Sequence, residues 1–364
     1  MQSNDDLPFC LVKPEITGDL SNVMPFRAGM KYSRILKEIE KGKHIVAEGS
    51  FGTVLALYSW VRKRTSSEYP VYDHASSRVN RKIFAARTGR IMVRVKYHLP
   101  LLEKAPAIPW LKEFYPGSGN FLISLPDLLG LNGAWQWYSK GIKYQVLDYK
   151  LHPFYGVYFP TRTTHLTMLE GWMKDNMKNT DHVTDIGTGC GVMGFMAIKH
   201  GAVKVTATDI NPNAIYSASM DARRLGLQKK ISTEQASFFG TGNKDAGTGR
   251  QLTIFNPPWI PGKSETPIDK GIYYEEGFFE KFFAEAADHT DLGELLVVVF
   301  SDYAIVAGIA EENPIEEAVA ANRSFIIKNR LTSKVSERTD KPTKSWINSI
   351  REKETAELWV IERV

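Results

Sequence analysis

The stretch Thr184-Asp185-Ile186-Gly187-Thr188-Gly189-Cys190-Gly191-Val192-Met193-Gly194 constrains the chain more than any other. Val183 to Ile186 reads as a short buried strand. Gly187, Gly189 and Gly191 then permit a sharp turn, because glycine accepts positive φ without a Cβ clash. Val192 to His200 reads as a helix, closed by Gly201. A strand, a glycine turn and a helix N-terminus together aim backbone N–H groups at a ligand. Asp185, at the strand's carboxyl end, adds negative charge there, which suits a cation such as an amino group and not a phosphate. Gly189 to Gly194 also matches the G-x-G-x-x-G dinucleotide fingerprint, a weak signal alone. Its first glycine lies beyond the strand end, where a dinucleotide fold wants it at the end. A plain strand-to-helix turn is the bland alternative.

Two later stretches narrow the choice. Val203 to Asp209 reads as the next strand, and Asp209 at its end can accept both hydroxyls of a ribose. Leu252-Thr253-Ile254-Phe255 is apolar and β-branched, and it runs into Asn256-Pro257-Pro258-Trp259. With these residues the chain resembles the class I S-adenosylmethionine (SAM)-dependent methyltransferases. It is most similar in motif to the amino-methylating group with an Asn-Pro-Pro-aromatic sequence. That group includes release-factor glutamine, adenine-N6 and small-domain rRNA guanine methyltransferases. The resemblance spans residues 151–364 and does not reach 1–150.

The resemblance implies an α/β fold. A Rossmann-like seven-stranded sheet in the order 3-2-1-4-5-7-6, with its last strand antiparallel, would fill 151–364. An additional mixed domain over 1–150 would recognise the acceptor. SAM is the implied cofactor. The positions carried over for it are Thr161 and Thr164, with His165 beside them. The glycine turn contributes Asp185, Gly187, Thr188, Gly189 and Gly191. Further along come Asp209, Ile210, Ser237, Phe238 and Asn256. Relatives often place an acid after the third strand to read the adenine amino group. Here Gln235-Ala236-Ser237-Phe238-Phe239 has none, so Ser237 is the expected acceptor and Phe238 the packing face.

Asn256, Pro257 and Trp259 are the catalytic candidates. Amide and nucleobase nitrogens are poor nucleophiles because their lone pair is delocalised. The Asn256 side-chain oxygen and the Pro257 carbonyl can accept both hydrogens of one NH₂ group and fix its plane. Proline presents its carbonyl rigidly and adds no N–H. Trp259 offers a flat face to a planar acceptor. The expected activity is N-methylation of an amide or exocyclic amine on a macromolecule, an RNA base or a protein glutamine. Methylation of a small planar metabolite is the alternative. A binding subunit without catalysis and a nicotinamide dehydrogenase are weaker readings.

Charge divides the chain. Residues 1–150 hold 22 Lys/Arg against 13 Asp/Glu, a balance of +9, while the remainder holds 24 against 28. The cluster from Arg62 to Lys96 hints at an anionic partner, although a solvated charged face is the commoner meaning. Ile91 to Tyr97 alternates as a half-buried strand, and Lys31–Lys41 and Phe51–Arg62 read as helices. Phe121–Leu131 and Trp135–Tyr149 read as short strands and turns. Trp110, Trp135, Trp137, Tyr138, Tyr144 and Tyr149 could line an acceptor pocket, although aromatics at this density are more often core. In the second half, helices are expected near 192–200, 212–226, 274–288 and 303–321. The loops at 240–250, 261–271 and 340–346 are polar, and the second, after the catalytic motif, is a candidate lid. No apolar run is long enough for a membrane span, and the acidic start is unlike a secretory leader. Cys10 and Cys190 support neither a zinc site nor a disulfide framework, which fits a reducing cytoplasm and no metal.

Overall fold

A computed structural model describes residues 11–18, 20–178, 180–241, 250–264, 269–335 and 346–364. Most of the loop at 240–250, the middle of 261–271, nearly all of 340–346, and Cys10 lie outside these residues. The chain divides into two compact units, Lys13–Trp137 and Met1–Val12 with Tyr138–Val364.

In Lys13–Trp137, three parallel strands, Val23–Phe26, His44–Ala47 and Ile91–Lys96, are joined by helices. Asn120–Ser124 and Ile16–Thr17 extend the sheet in antiparallel register, and Leu99–Pro100 hairpins onto Ile91–Lys96. The second helix runs past its expected end, Phe51–Glu68, after Ser50 caps it by accepting from Thr53 N. Asp73 starts the next helix, His74–Thr88, with a reciprocal cap to Ser76. In Ile91–Lys96, Ile91, Met92, Val93 and Val95 are buried, Arg94 is half-buried and Lys96 is exposed.

Much of the basic cluster is occupied. Arg87 is buried between Glu40 and Glu68. Arg62 lies over the Tyr58 and Phe84 rings, and Arg90 donates to the Gly42 carbonyl at 2.8 Å. The segment expected as strands and turns after residue 125 is instead the helix Leu125–Lys140. Ser124 and Asp127 bond reciprocally at its start, and Leu125, Leu128 and Leu131 form its buried face. That leucine spacing outweighs the aromatic residues that suggested strand. Trp110 is fully buried, edge-on to the half-buried Trp135, whereas Trp137 in the same helix is exposed, so only part of this aromatic group is core.

The other unit is built on seven strands. In chain order they are His182–Ile186, Lys204–Asp209, Ile231–Gln235, Gln251–Phe255, Leu295–Ser301, Phe325–Lys334 and Thr355–Arg363. Their order across the sheet is 3-2-1-4-5-7-6. Only the last is antiparallel to its neighbours, inserted between the fifth and sixth. The first strand is buried at every residue, as a central parallel strand covered by helices on both faces must be. In register, Asp185 lies beside Ala207 and Ile254. The ends of strands one, two and four therefore reach one edge together.

Helix boundaries follow local chemistry. Asn211 caps Pro212–Arg224 through Asn213 N, with Pro212 at the first position where its missing N–H costs nothing. The helix expected from 274 begins only at Phe278, because Tyr273–Tyr274 pairs with Ile260–Pro261. The single helix expected over 303–321 is two, Tyr303–Val306 and Pro314–Ala321, since Gly308 turns at φ +66° and Asn313-Pro314 begins a new one. One side of the sheet is filled by aromatics, with Phe238 against Phe255, Phe278 and Phe282.

Candidate active site

The turn after the first strand is held by the strand's own carboxylate. Gly187, Gly189 and Gly191 have φ of +60°, +52° and +84°, which side-chain-bearing residues rarely adopt. A Cβ on Gly189 would lie 2.9 Å from the Tyr158 carbonyl oxygen. Asp185 Oδ2 accepts from Thr188 Oγ1 at 2.6 Å and from Gly194 N at 2.9 Å, and Oδ1 has no partner. Asp185 is fully buried and does not line the cavity above the turn. The sequence suggests that its charge faces a ligand amino group; in this structure its Oδ2 fastens the turn to the first turn of the helix. Burial pushes its carboxyl up to about 7.

Asp209 does reach that cavity. Its Oδ2 accepts from Gly189 N at 2.9 Å and its Oδ1 from Asn211 N at 2.8 Å. Each oxygen keeps a lone pair for a ligand hydroxyl. Burial raises its pKa, and the N–H donors of Asn211 and Gly189 oppose that rise. Gly187, Thr188, Gly189, Ile210, Ser237 and Phe238 line the same cavity. Gly191 does not; it packs on Phe195. Tyr158, Asn211, Met193, Lys270 and Phe278 also line it and were not foreseen.

Asn256 borders this cavity and a second one beside it. Pro257, Trp259 and Thr161 belong to the second alone, and Thr164, the first residue of the helix Thr164–Asn176, to neither. Trp259 Nε1 donates to Asn256 Oδ1 at 3.0 Å, which fixes the amide orientation and leaves that oxygen one further lone pair. His165 meets Trp259 edge-on, with ring centres 5.4 Å apart. Burial lowers its pKa to about 4, so the imidazole is neutral near pH 7. Tyr158 and Gly271 line both cavities, and Arg162, Tyr303 and Arg351 the second.

The strand order, the glycine turn and the acid ending the second strand coincide in one unit. The fold is that of the class I SAM-dependent methyltransferases. The family of ribosomal protein L11 methyltransferases (PrmA) matches residues 156–245. A candidate protein N5-glutamine methyltransferase of Methanocaldococcus jannaschii is 33% identical over 129 residues, 35% of this chain and 59% of that protein. A ribosomal protein L11 methyltransferase of Bacillus cytotoxicus is 30% identical over 136 residues, 37% of this chain and 41% of that one. The chain thus spans about half the length of the curated relatives it matches. Among solved structures, the L11 methylase of Lactobacillus delbrueckii subsp. bulgaricus aligns at TM-score 0.37 and 21% identity, over 57% of this chain and 81% of its own.

The first cavity fits SAM. Its lining combines the Asp209 carboxylate, which could accept hydroxyls, a turn with glycine at every second position, and the apolar faces of Phe238 and Ile210. Among the described residues no cluster of His, Cys, Asp or Glu could hold a metal. No described helix is long and apolar enough to cross a membrane.

Proposed function

We propose that the chain is a SAM-dependent N-methyltransferase for a planar amide or exocyclic amine nitrogen carried by a macromolecule. The observation that carries this reading is Asn256, which lies on both cavities and is oriented by Trp259. SAM supplies, when bound, a methyl group already activated by a sulfonium. The glycine turn and Asp209 would hold it, with Ser237 and Phe238 toward the adenine. The Asn256 oxygen and the Pro257 carbonyl each take one hydrogen of the acceptor NH₂. Two fixed acceptors hold that group in one plane and stabilise positive charge as it develops on nitrogen. Trp259 both holds the Asn256 amide and borders the acceptor. A strong base is unnecessary, because an alkylated amide or aryl amine nitrogen is acidic and loses its proton to water.

The relatives' names support a protein acceptor, a glutamine amide or a ribosomal protein. The +9 balance of residues 1–150 supports RNA as the second reading. Transfer of a tritiated methyl group to total protein, total RNA and a metabolite extract tests both. Label in glutamine amides or exocyclic base amines is the expected result. Label only on oxygen, carbon or sulfur would end the N-methylation reading.

A further inference from the structure

The second cavity contains a polar group that the mechanism above leaves unused. His165, the second residue of Thr164–Asn176, lines it together with Asn256, Pro257 and Trp259. The residue is 3% exposed, and its Nε2 is buried with no hydrogen-bond partner among the described residues. Buried polar atoms are nearly always paired, so a bare one on a residue of a cavity wall points to a ligand that completes it. Burial also holds the imidazole neutral near pH 7. It therefore offers one N–H, one lone pair and no charge.

The ring has a fixed neighbour. It stands edge-on to Trp259, with centres 5.4 Å apart and planes at 88°. Trp259 Nε1 in turn donates to Asn256 Oδ1. One indole thus borders the imidazole and orients the amide assigned to the acceptor nitrogen.

A planar –C(=O)NH₂ group matches what these side chains can give. The Asn256 oxygen and the Pro257 carbonyl, both acceptors only, take its two N–H groups. Its carbonyl oxygen is then left in a buried site, where it needs a donor. His165 supplies one in the tautomer with hydrogen on Nε2. Oxygen is also the more nucleophilic atom of an amide, so an N-methyltransferase must keep it from the methyl group. A donor on oxygen and two acceptors on nitrogen do so, because a flipped amide would set N–H against N–H and C=O against C=O. A carboxylate, with no hydrogen to give, is rejected at the two acceptors. An exocyclic base amine has no oxygen on the carbon that bears it, so the device answers a problem that only the carboxamide poses.

Resting on the N-methyltransferase reading, we propose that the acceptor is a protein side-chain carboxamide and that His165 donates from Nε2 to its carbonyl oxygen. His165 is then a specificity-determining residue that turns nitrogen, and not oxygen, toward the methyl donor.

The test is calorimetry on the full chain saturated with S-adenosylhomocysteine. The probes are N-acetylglutamine methylamide and the analogue whose side-chain oxygen is sulfur, a much weaker hydrogen-bond acceptor. Wild type should prefer the amide roughly 10-fold, as one buried hydrogen bond implies. His165→Phe, which keeps a flat ring and loses the N–H, should bring that ratio below about threefold. If it does not fold, His165→Leu takes its place. A purely structural histidine would weaken both probes together and leave the ratio intact, which overturns the proposal. A wild-type ratio below about threefold overturns it too, as does failure of wild type to bind the amide. Cytidine bound more tightly than the amide, and lost in the variant, would assign His165 to a base amine and overturn the carboxamide. Methyl transfer to the amide probe is read separately. Its absence beside an intact oxygen preference supports the role of His165 and counts against N-methylation.

Discussion

Asp209 ends its strand with each carboxylate oxygen already on a backbone N–H, one from the glycine turn and one from Asn211. It can still accept a ribose hydroxyl on each. Losing a charge-assisted hydrogen bond costs about 1.5–3 kcal/mol, so Asp209→Ala should weaken SAM binding by roughly 10- to 150-fold. Calorimetry of the folded variant checks this, and unchanged affinity would remove Asp209 from the cofactor site. Asp185 makes a different prediction. Burial pushes its carboxyl up to about 7 in the folded chain, from the ordinary aspartate value near 3.8 when exposed. Below about pH 4 it is neutral in both states. As pH rises toward 7 the unfolded state ionises first, so stability falls, and above 7 the loss is complete. Asp185→Asn should therefore gain melting temperature relative to wild type between pH 4 and 7, read from paired thermal melts. A constant difference across that range would contradict the burial argument. Both acids were legible in the sequence because each ends a strand. Which one lines the cavity was not, since position at a strand end does not give the direction of the side chain. Arg351 left no signal: the last strand brings its end of the chain back into the sheet beside the fifth, and no local pattern reports that insertion.

Among the elements, the parallel strands were the most legible, because runs such as Val183–Ile186 and Leu252–Phe255 are short, apolar and followed by special turns. The helix Leu125–Lys140 was missed where glycine and aromatic residues obscured a leucine face. The late start of Phe278–His289 depends on strand pairing distant in sequence from any helix signal. The strand Ile91–Lys96 was read as a strand, but its burial does not alternate as expected, because Met92 is buried against Val46 and Leu122; it bears on the acceptor through Arg94 and Lys96. Arg87 and Arg90 are committed to internal partners, leaving Arg94 and Lys96 as this strand's test positions. RNA held there should show a log–log salt slope of about −0.7 per phosphate contact. Replacing Arg94 and Lys96 by Gln should flatten the slope by about 1.4 units without altering SAM affinity. Filter binding of total RNA across a salt series measures it. A flat response in both proteins would leave protein or metabolite as the acceptor.

At the scale of the molecule, one unit carries both cavities, and Asn256, with Tyr158 and Gly271, borders both; in the proposed mechanism Asn256 is the side chain that aims the acceptor. Binding and transfer should therefore separate cleanly at that residue. The deciding measurement pairs SAM affinity by calorimetry with single-turnover methyl transfer, wild type against Asn256→Ala, on whichever acceptor the tritium screen labels. Affinity for SAM should stay within about threefold, while transfer falls on the order of 10²- to 10³-fold, the effect of deleting one preorganised electrostatic contact. Transfer that survives the substitution would contradict the account, because the nitrogen would then be aimed by some other part of the chain.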